Sequence, residues 1–227
     1  YFILIGKVKD VIKNEELKYY LLIVFVSIAL IVMNIASKYQ SIWQCIRDVL
    51  FTVSSIITTT GYSTADFGKW PLFSQVILLL IMFFGACAGS TAGGLKISRV
   101  IMMVKMYVAE IRQMISPNRV ITVKYEDKPL SAKMQKNVAV YFVVYMILFT
   151  TMLLIVSFSL GDFMTAFSAV AATFNNIGPG LGKVGPAYSF ADLNNVSKVV
   201  LSFGMLAGRL EIFPMLILFA PATWKLK

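Results

Sequence analysis

Three features of this 227-residue sequence predict an all-α integral membrane protein, built from repeated helix–pore loop–helix units of a potassium-channel-like pore. The first is composition. The chain is 58% hydrophobic and only 14% charged, with a mean hydropathy of +0.77, whereas soluble domains carry about 25% charged residues. The second is layout, because apolar runs near the spanning length of about 20 residues alternate with short polar, basic segments. The third is an internal repeat: displacing the chain by 117 positions lays Gly61 on Gly178, Leu21 on Val138 and Phe73 on Phe190. Two parallel repeats of this kind imply a pseudo-rotational axis along the membrane normal.

The chain opens at Tyr1-Phe2-Ile3-Leu4-Ile5, which reads as the tail of an apolar helix, so the polypeptide is expected to be truncated at its N-terminus. Tyr20 to Ala36 is a transmembrane helix candidate, flanked by Lys18 and Lys38 and by Tyr19, Tyr20 and Tyr39. From Ile42 to Thr58 the sequence is apolar but carries Ser, Thr, Arg47 and Asp48. That mixture is too polar for lipid and suits a short re-entrant pore helix. The Gly61 tract that follows must line protein or water, because irregular backbone cannot face lipid. An apolar helix resumes over 71–84 and breaks in the small-residue run 85–94. Helical periodicity returns over 95–115, and residues 117–136 are the most polar of the chain. The second copy comprises a span over 138–160, a short semi-polar helix over 162–174, the tract 176–180, and a last span over 196–219.

Basic residues fix the expected orientation. Segment 96–136 holds nine Lys or Arg, residues 1–18 hold four, and the tail ends in Lys225 and Lys227. These segments read as cytoplasmic, with the pore loops entering from outside, Trp43 and Trp70 near the outer interface and Trp224 near the inner one. The net charge of +10 lies between apolar spans, which points to lipid headgroups and not to nucleic acid. Histidine is absent, and Cys45 and Cys87 are far apart. Imidazole-based catalysis, a disulfide framework and a cysteine metal site are therefore not expected. With no nucleophile–base combination and no nucleotide-binding loop, the chain does not read as an enzyme.

Three motifs carry the chemistry. Thr58-Thr59-Thr60-Gly61-Tyr62-Ser63 and Asn175-Asn176-Ile177-Gly178-Pro179-Gly180 each follow a short helix and precede an apolar span. Taken singly, Gly61 would close a turn and Gly178-Pro179-Gly180 would cap a helix. At equivalent points of a membrane repeat they read as filter loops. Thr59, Thr60, Gly61 and Tyr62, with Asn176, Ile177, Gly178 and Pro179, would supply backbone carbonyls that replace the hydration shell of K⁺. Thr59-Thr60-Gly61-Tyr62 is close to the Thr-Val-Gly-Tyr tract of potassium channels. The pore helices would aim their partially negative C-terminal ends at the cation. The second motif is the run from Gly85 to Gly94, with Gly89, Ser90, Thr91 and Gly93. Its spacing fits close helix packing, yet consecutive glycines cost about 1 kcal/mol each in a helix, which favours an intramembrane loop crossing the pathway. The third motif is Arg209, near the middle of the last apolar run, where a lone charge needs a partner. Glu211 lies on another face, so backbone carbonyls or hydroxyls of the 85–94 loop are the expected partners, with an ion pair to another helix as the alternative.

Thr59-Thr60-Gly61-Tyr62-Ser63, Gly89-Ser90-Thr91-Ala92-Gly93-Gly94-Leu95-Lys96, Asn175-Asn176-Ile177-Gly178-Pro179-Gly180 and Gly208-Arg209-Leu210-Glu211 together resemble the third and fourth repeats of the Trk/Ktr/HKT potassium transporter superfamily, in its TrkH/KtrB-like branch. The resemblance runs over nearly the whole chain. It implies four repeats around one pore in the plasma (inner) membrane of a prokaryote, in a homodimer. A cytosolic nucleotide-binding RCK subunit of the TrkA or KtrA type would sit on the inner face, so that nucleotide acts only through that partner. Residues 1–17 become the end of a preceding repeat and a cytoplasmic linker, 18–115 the third repeat with a broken second helix, 116–136 a cytoplasmic loop and 137–227 the fourth repeat. The resemblance also makes Gly61 and Gly178 filter glycines. Gly85, Gly89, Ser90, Thr91, Gly93, Gly94 and Lys96 would belong to an intramembrane gate that Arg209 helps to hold closed. Potassium uptake is the function implied. A sodium-permeable or sodium-coupled relative and a non-conducting membrane scaffold are the alternatives.

Overall fold

The structure, a computed structural model, describes residues 14–119, 121–218 and 221–224. The expected linker at 1–13 and the basic tail residues Lys225 and Lys227 lie outside the described residues. The first repeat begins with α1 (Glu15–Ile35), which starts five residues before the expected span. Asn14 caps it, its side chain accepting a hydrogen bond from the Leu17 amide at 2.8 Å, and Glu15 and Glu16 complement the positive end of the helix dipole. After α2 (Ile42–Ile57) come α3 (Leu72–Met82) and α4 (Ile97–Ile115). The second repeat runs through α5 (Ala132–Ser159), α6 (Phe163–Phe174), α7 (Asn195–Arg209) and α8 (Ile212–Leu218).

Both repeats close the same triangle. Helices α1, α2 and α3 pack on one another pairwise, as do α5, α6 and α7, and α3 meets α6 between the repeats. The core is made of Ile31, Val49, Val53 and Leu78 in the first repeat and Tyr145, Val156 and Phe174 in the second. Outward-facing apolar side chains such as Phe25, Met33, Leu154 and Phe158 are exposed, as a lipid-facing surface requires. Helix α6 is the opposite case. Nine of its twelve residues are buried, so it is enclosed by protein on most of its circumference.

Two expectations are corrected. The last apolar run is not one continuous helix, because α7 and α8 bend by 115° at Leu210-Glu211. Pro214 explains the break: it lacks an amide donor, and its ring would strike the carbonyl of Leu210 in a continuous helix. Glu211 turns the corner with φ +64. The fifth helix starts at Ala132, six residues before Val138, because Ser131 accepts from the Met134 amide and caps it. The polar segment before it holds a two-stranded hairpin, β1 (Lys124–Tyr125) and β2 (Lys128–Pro129), turned by Glu126 and Asp127, both with positive φ. Trp70 is buried against protein and meets the Phe67 ring edge-on at 6.4 Å, while Trp43 is exposed.

Candidate functional site

The two Gly tracts share one backbone. Helix α2 ends at Thr58 and α6 at Asn175, and the next residues, Thr59 (φ 56) and Asn176 (φ 57), are left-handed, as are Gly61 (φ 82) and Gly178 (φ 108). Each position is 117 residues from its counterpart. The amides of Thr60 and Gly61 donate to the Ser55 carbonyl at 2.9 and 3.4 Å, and those of Ile177 and Gly178 donate to Ala172 at 2.8 and 3.4 Å. In a trans peptide the carbonyl points opposite to the following amide. The oxygens of Thr59, Thr60, Asn176 and Ile177 therefore face away from their own helices. A Cβ on Gly61 would collide with the Ile177 oxygen and sit 3.3 Å from Pro179 Cδ, so the loops approach one another at this point. Tyr62 differs, since its carbonyl accepts from the Ser55 hydroxyl at 2.6 Å and is turned back to α2.

The run 85–94 is a loop, with Phe84 and Leu95 forming a parallel bridge at its base. Close helix packing by this run, the other reading of its spacing, is set aside. The Gly85 amide donates to Leu95 O at 2.8 Å, and a Cβ on Gly85 would strike Gly93 O. Cationic donors hold the carbonyls at the tip. Lys96 Nζ donates to Ser90 O at 2.5 Å and to Ala92 O at 2.8 Å, and Arg209 Nη1 donates to Thr91 O. The backbone partner expected for Arg209 is thus present, at the end of α7 and not at mid-span. Glu211 pairs with Arg99 of α4 at 2.9 Å, and the Arg99 guanidinium lies 4.0 Å over the Tyr141 ring.

The second Gly tract and this loop are in contact. A Cβ on Gly93 would collide with the Asn175 carbonyl, and one on Gly94 would lie 3.0 Å from Asn175 Oδ1. On the other flank, a Cβ on Gly208 would collide with Phe174 O. Asn175 is buried and doubly held: its Oδ1 accepts from the Tyr145 hydroxyl at 2.7 Å, and its Nδ2 donates to Ala171 O at 2.8 Å. Beside it, Asn176 Nδ2 is buried without a partner among the described residues. Two cavities flank these parts. One of about 450 Å³ borders Thr173, Gly178, Pro179 and Lys198. The other, of about 730 Å³, borders Ala88, Gly89, Lys96, Arg99 and Glu211.

The four-residue spacing of Gly204 and Gly208 in the sequence marks a place where another backbone can approach, and Phe174 O takes that place at Gly208. Asn175, Tyr145, Ser55 and Glu16 carry no such signal; they are ordinary residues whose roles come from the partners the fold brings to them.

A profile of the TrkH family, described as a cation transport protein, matches residues 17–226. The chain belongs to that family. The Trk system potassium uptake protein TrkH of Escherichia coli K12 is 39% identical over 201 residues, covering 88% of this chain and 41% of the relative. TrkH of Vibrio parahaemolyticus is 41% identical over 188 residues, covering 83% and 38%. The TrkG protein of Escherichia coli K12 is 35% identical over 221 residues, covering 96% and 45%. The crystal structure of the potassium transporter TrkH from Vibrio parahaemolyticus superposes with a TM-score of 0.85 at 37% identity, covering 94% of this chain and 46% of that one. This TrkH-family chain therefore spans less than half the length of these relatives. Its architecture is that of an all-α integral membrane protein.

Proposed function

We propose that this chain contributes two of four repeats to a pore for potassium uptake across the plasma membrane. K⁺ passes down its electrochemical gradient, coordinated by carbonyls of Thr59, Thr60, Gly61, Asn176, Ile177 and Gly178. The observation that carries this reading is the matched backbone of the two loops. Two left-handed residues and two amide bonds in each loop match in register, and they turn carbonyls that have no partner among the described residues away from the helices, the Ile177 oxygen lying against Gly61 of the other loop. Such oxygens suit a dehydrated cation, and the C-terminal ends of α2 and α6 add partial negative charge. Tyr62 is placed outside the coordinating set because Ser55 holds its oxygen; Pro179 shapes the approach to Gly61 and has no other role in the reading.

The loop 85–94 is the gate in this reading, kept in place by Lys96 and Arg209. The basic segments face the cytoplasm, where a nucleotide-binding RCK-type subunit would act on the pore, and the whole protein works as a homodimer. Its relatives are potassium uptake proteins of the Trk system, which supports the ion and the multi-subunit setting.

Rb⁺ uptake by potassium-uptake-deficient bacteria expressing the full-length protein, with Na⁺ competition, tests the proposal. Uptake that resists Na⁺ and falls at least tenfold in Gly178→Ser is expected, since φ +108 is strained for any side chain. Uptake abolished by Na⁺ would move the assignment to a sodium-permeable transporter. No uptake by a folded, inserted protein supplied with its cytosolic partner would leave a scaffold.

A further inference from the structure

Glu16 is the described carboxylate buried closest to the 85–94 loop, and the pore does not need it for ion coordination. It stands in the first turn of α1, 7% exposed. One oxygen, Oε1, accepts from the Ala88 amide at 2.6 Å and from the Ser98 amide at 3.1 Å. The two donors differ in kind. Ala88 lies in the first half of the loop, while Ser98 is the second residue of α4. That helix has no cap of its own, because the residue before it, Lys96, makes no side-chain capping bond and sends its ammonium to the loop instead. An unpaired amide at a helix start needs an acceptor, and a carboxylate is favoured there by the dipole. One acid from another helix thus caps α4 and fastens the loop.

The residues before Glu16 continue the connection. Glu15 pairs with Lys105 of α4, whose ammonium also donates to Lys124 O in the hairpin at 3.1 Å. Asn14 Nδ2 donates to Glu126 Oε1 in the hairpin turn at 2.6 Å. Three consecutive side chains therefore run from the β1–β2 hairpin to the loop. Lys96 and Arg209 hold the tip through its carbonyls, and Glu16 holds the preceding stretch through an amide.

We infer that Glu16 is a positioning residue for the 85–94 loop, and that Asn14 and Glu15 tie that loop to the hairpin at 124–129, so that displacing the hairpin loosens the loop. This rests on the gate reading only for its effect on transport, because the mechanical tie stands whether or not the loop gates. A force on the hairpin reaches Glu16 within two residues of α1, without passing through the pore helices.

Cys87, next to Ala88 and partly exposed, is a native reporter of loop release, and buried Cys45 on α2 is an internal control. The full-length protein in membranes would be treated with a small maleimide and labelling at each cysteine followed by peptide mass spectrometry. In Glu16→Ala the Cys87 rate should rise about tenfold, the effect of losing one charge-assisted hydrogen bond, while the Cys45 rate stays unchanged. Glu16→Gln retains an acceptor oxygen and should stay within about threefold of the parent, since the lost charge assistance is a fraction of one bond. Should Glu16→Ala fail to accumulate, Glu16→Asp, shorter by one methylene, takes its place with a rise between those two.

In the double variant Lys105→Ala/Glu126→Ala, which cuts both ties to the hairpin and leaves Glu16 in place, the Cys87 rate should rise about two- to threefold, as for partly exposed polar contacts. An unchanged Cys87 rate in Glu16→Ala, or in Glu16→Asp where that takes its place, or a parallel rise at Cys45, overturns the anchor. An unchanged rate in Lys105→Ala/Glu126→Ala overturns the tie to the hairpin. Rb⁺ uptake measured on the same membranes separates the gate reading: faster labelling with unaltered uptake supports the anchor and removes the gate.

Discussion

Positions 83–92 and 200–209 are equivalent under the 117-residue displacement, yet the first stretch is a bend and loop and the second remains helix. Both contain glycines four apart, Gly85 and Gly89 in one and Gly204 and Gly208 in the other. Spacing therefore does not decide between a packed helix and an opened loop. In α7 the glycines are separated by Met205, Leu206 and Ala207, good helix formers, and each removes a Cβ where another element approaches, Met152 at Gly204 and Phe174 at Gly208. In the loop, Gly93 and Gly94 are adjacent, Gly89 and Gly94 are left-handed at φ 94 and 78, and few large side chains would reward a helix by burial. Helix α7 and the 85–94 loop then serve opposite sides of one contact, with Gly208 supporting α6 from one side and Gly93 meeting Asn175 from the other.

The largest test of this contrast is Gly208→Ala. The new methyl would meet backbone, which cannot rotate away, so the full-length protein in detergent should lose about 3 kcal/mol of stability, at the upper end for overpacking. A midpoint of thermal unfolding equal to the parent's would mean that α7 is free to back away from α6. Gly89→Ala should cost less, about 1–2 kcal/mol, because nothing lies within 4 Å of the added methyl and only the left-handed backbone resists it. An effect there as large as at Gly208 would show the loop to be packed as tightly as the helix.

Tyr145→Phe sharpens the comparison from the α6 side. It removes the hydroxyl that holds Asn175 and should cost about 1 kcal/mol, read as a lower unfolding midpoint together with weaker discrimination of Rb⁺ from Na⁺.

The smallest effect compares α2 and α6 at their starts. Asp162 accepts from the Thr165 hydroxyl and from the Thr165 and Met164 amides, whereas Ser41 makes no side-chain capping bond to α2. The Thr165 hydroxyl, followed by its amide, holds the Asp162 carboxyl below the usual carboxylate range. The stabilisation it gives is complete above the ordinary carboxylate pKa of about 4 and is lost as pH falls through the lower folded value. Asp162→Asn, itself a good cap, should flatten the fall in unfolding midpoint between neutral and acid pH. A profile identical to the parent's would assign acid sensitivity to another group.

Much of the helix pattern was legible because its causes are local. Apolar run length marked α1 and α5, polar residues in short apolar helices marked α2 and α6, and the clustered glycines marked the loop. The Arg209 contact was legible too, because a charge in an apolar run must find oxygen nearby. Pro214, within the same run, is enough to forbid a continuous last helix, but the hydropathy of that run masks it.

The sequence by itself determined the membrane class, the repeat, the two Gly tracts and the loop, since run length, periodicity and left-handed backbone follow from each residue and its close neighbours. Only the tertiary structure decided that Tyr62 turns its carbonyl away, that Glu16 caps α4 and that Gly208 bears on Phe174. Those arrangements join residues 72 to 82 positions apart for Glu16, and on the helix surface or in the loop alone their partners are interchangeable amides and carbonyls. Burial removes the water that would otherwise satisfy such groups, and packing then selects which partner each one takes.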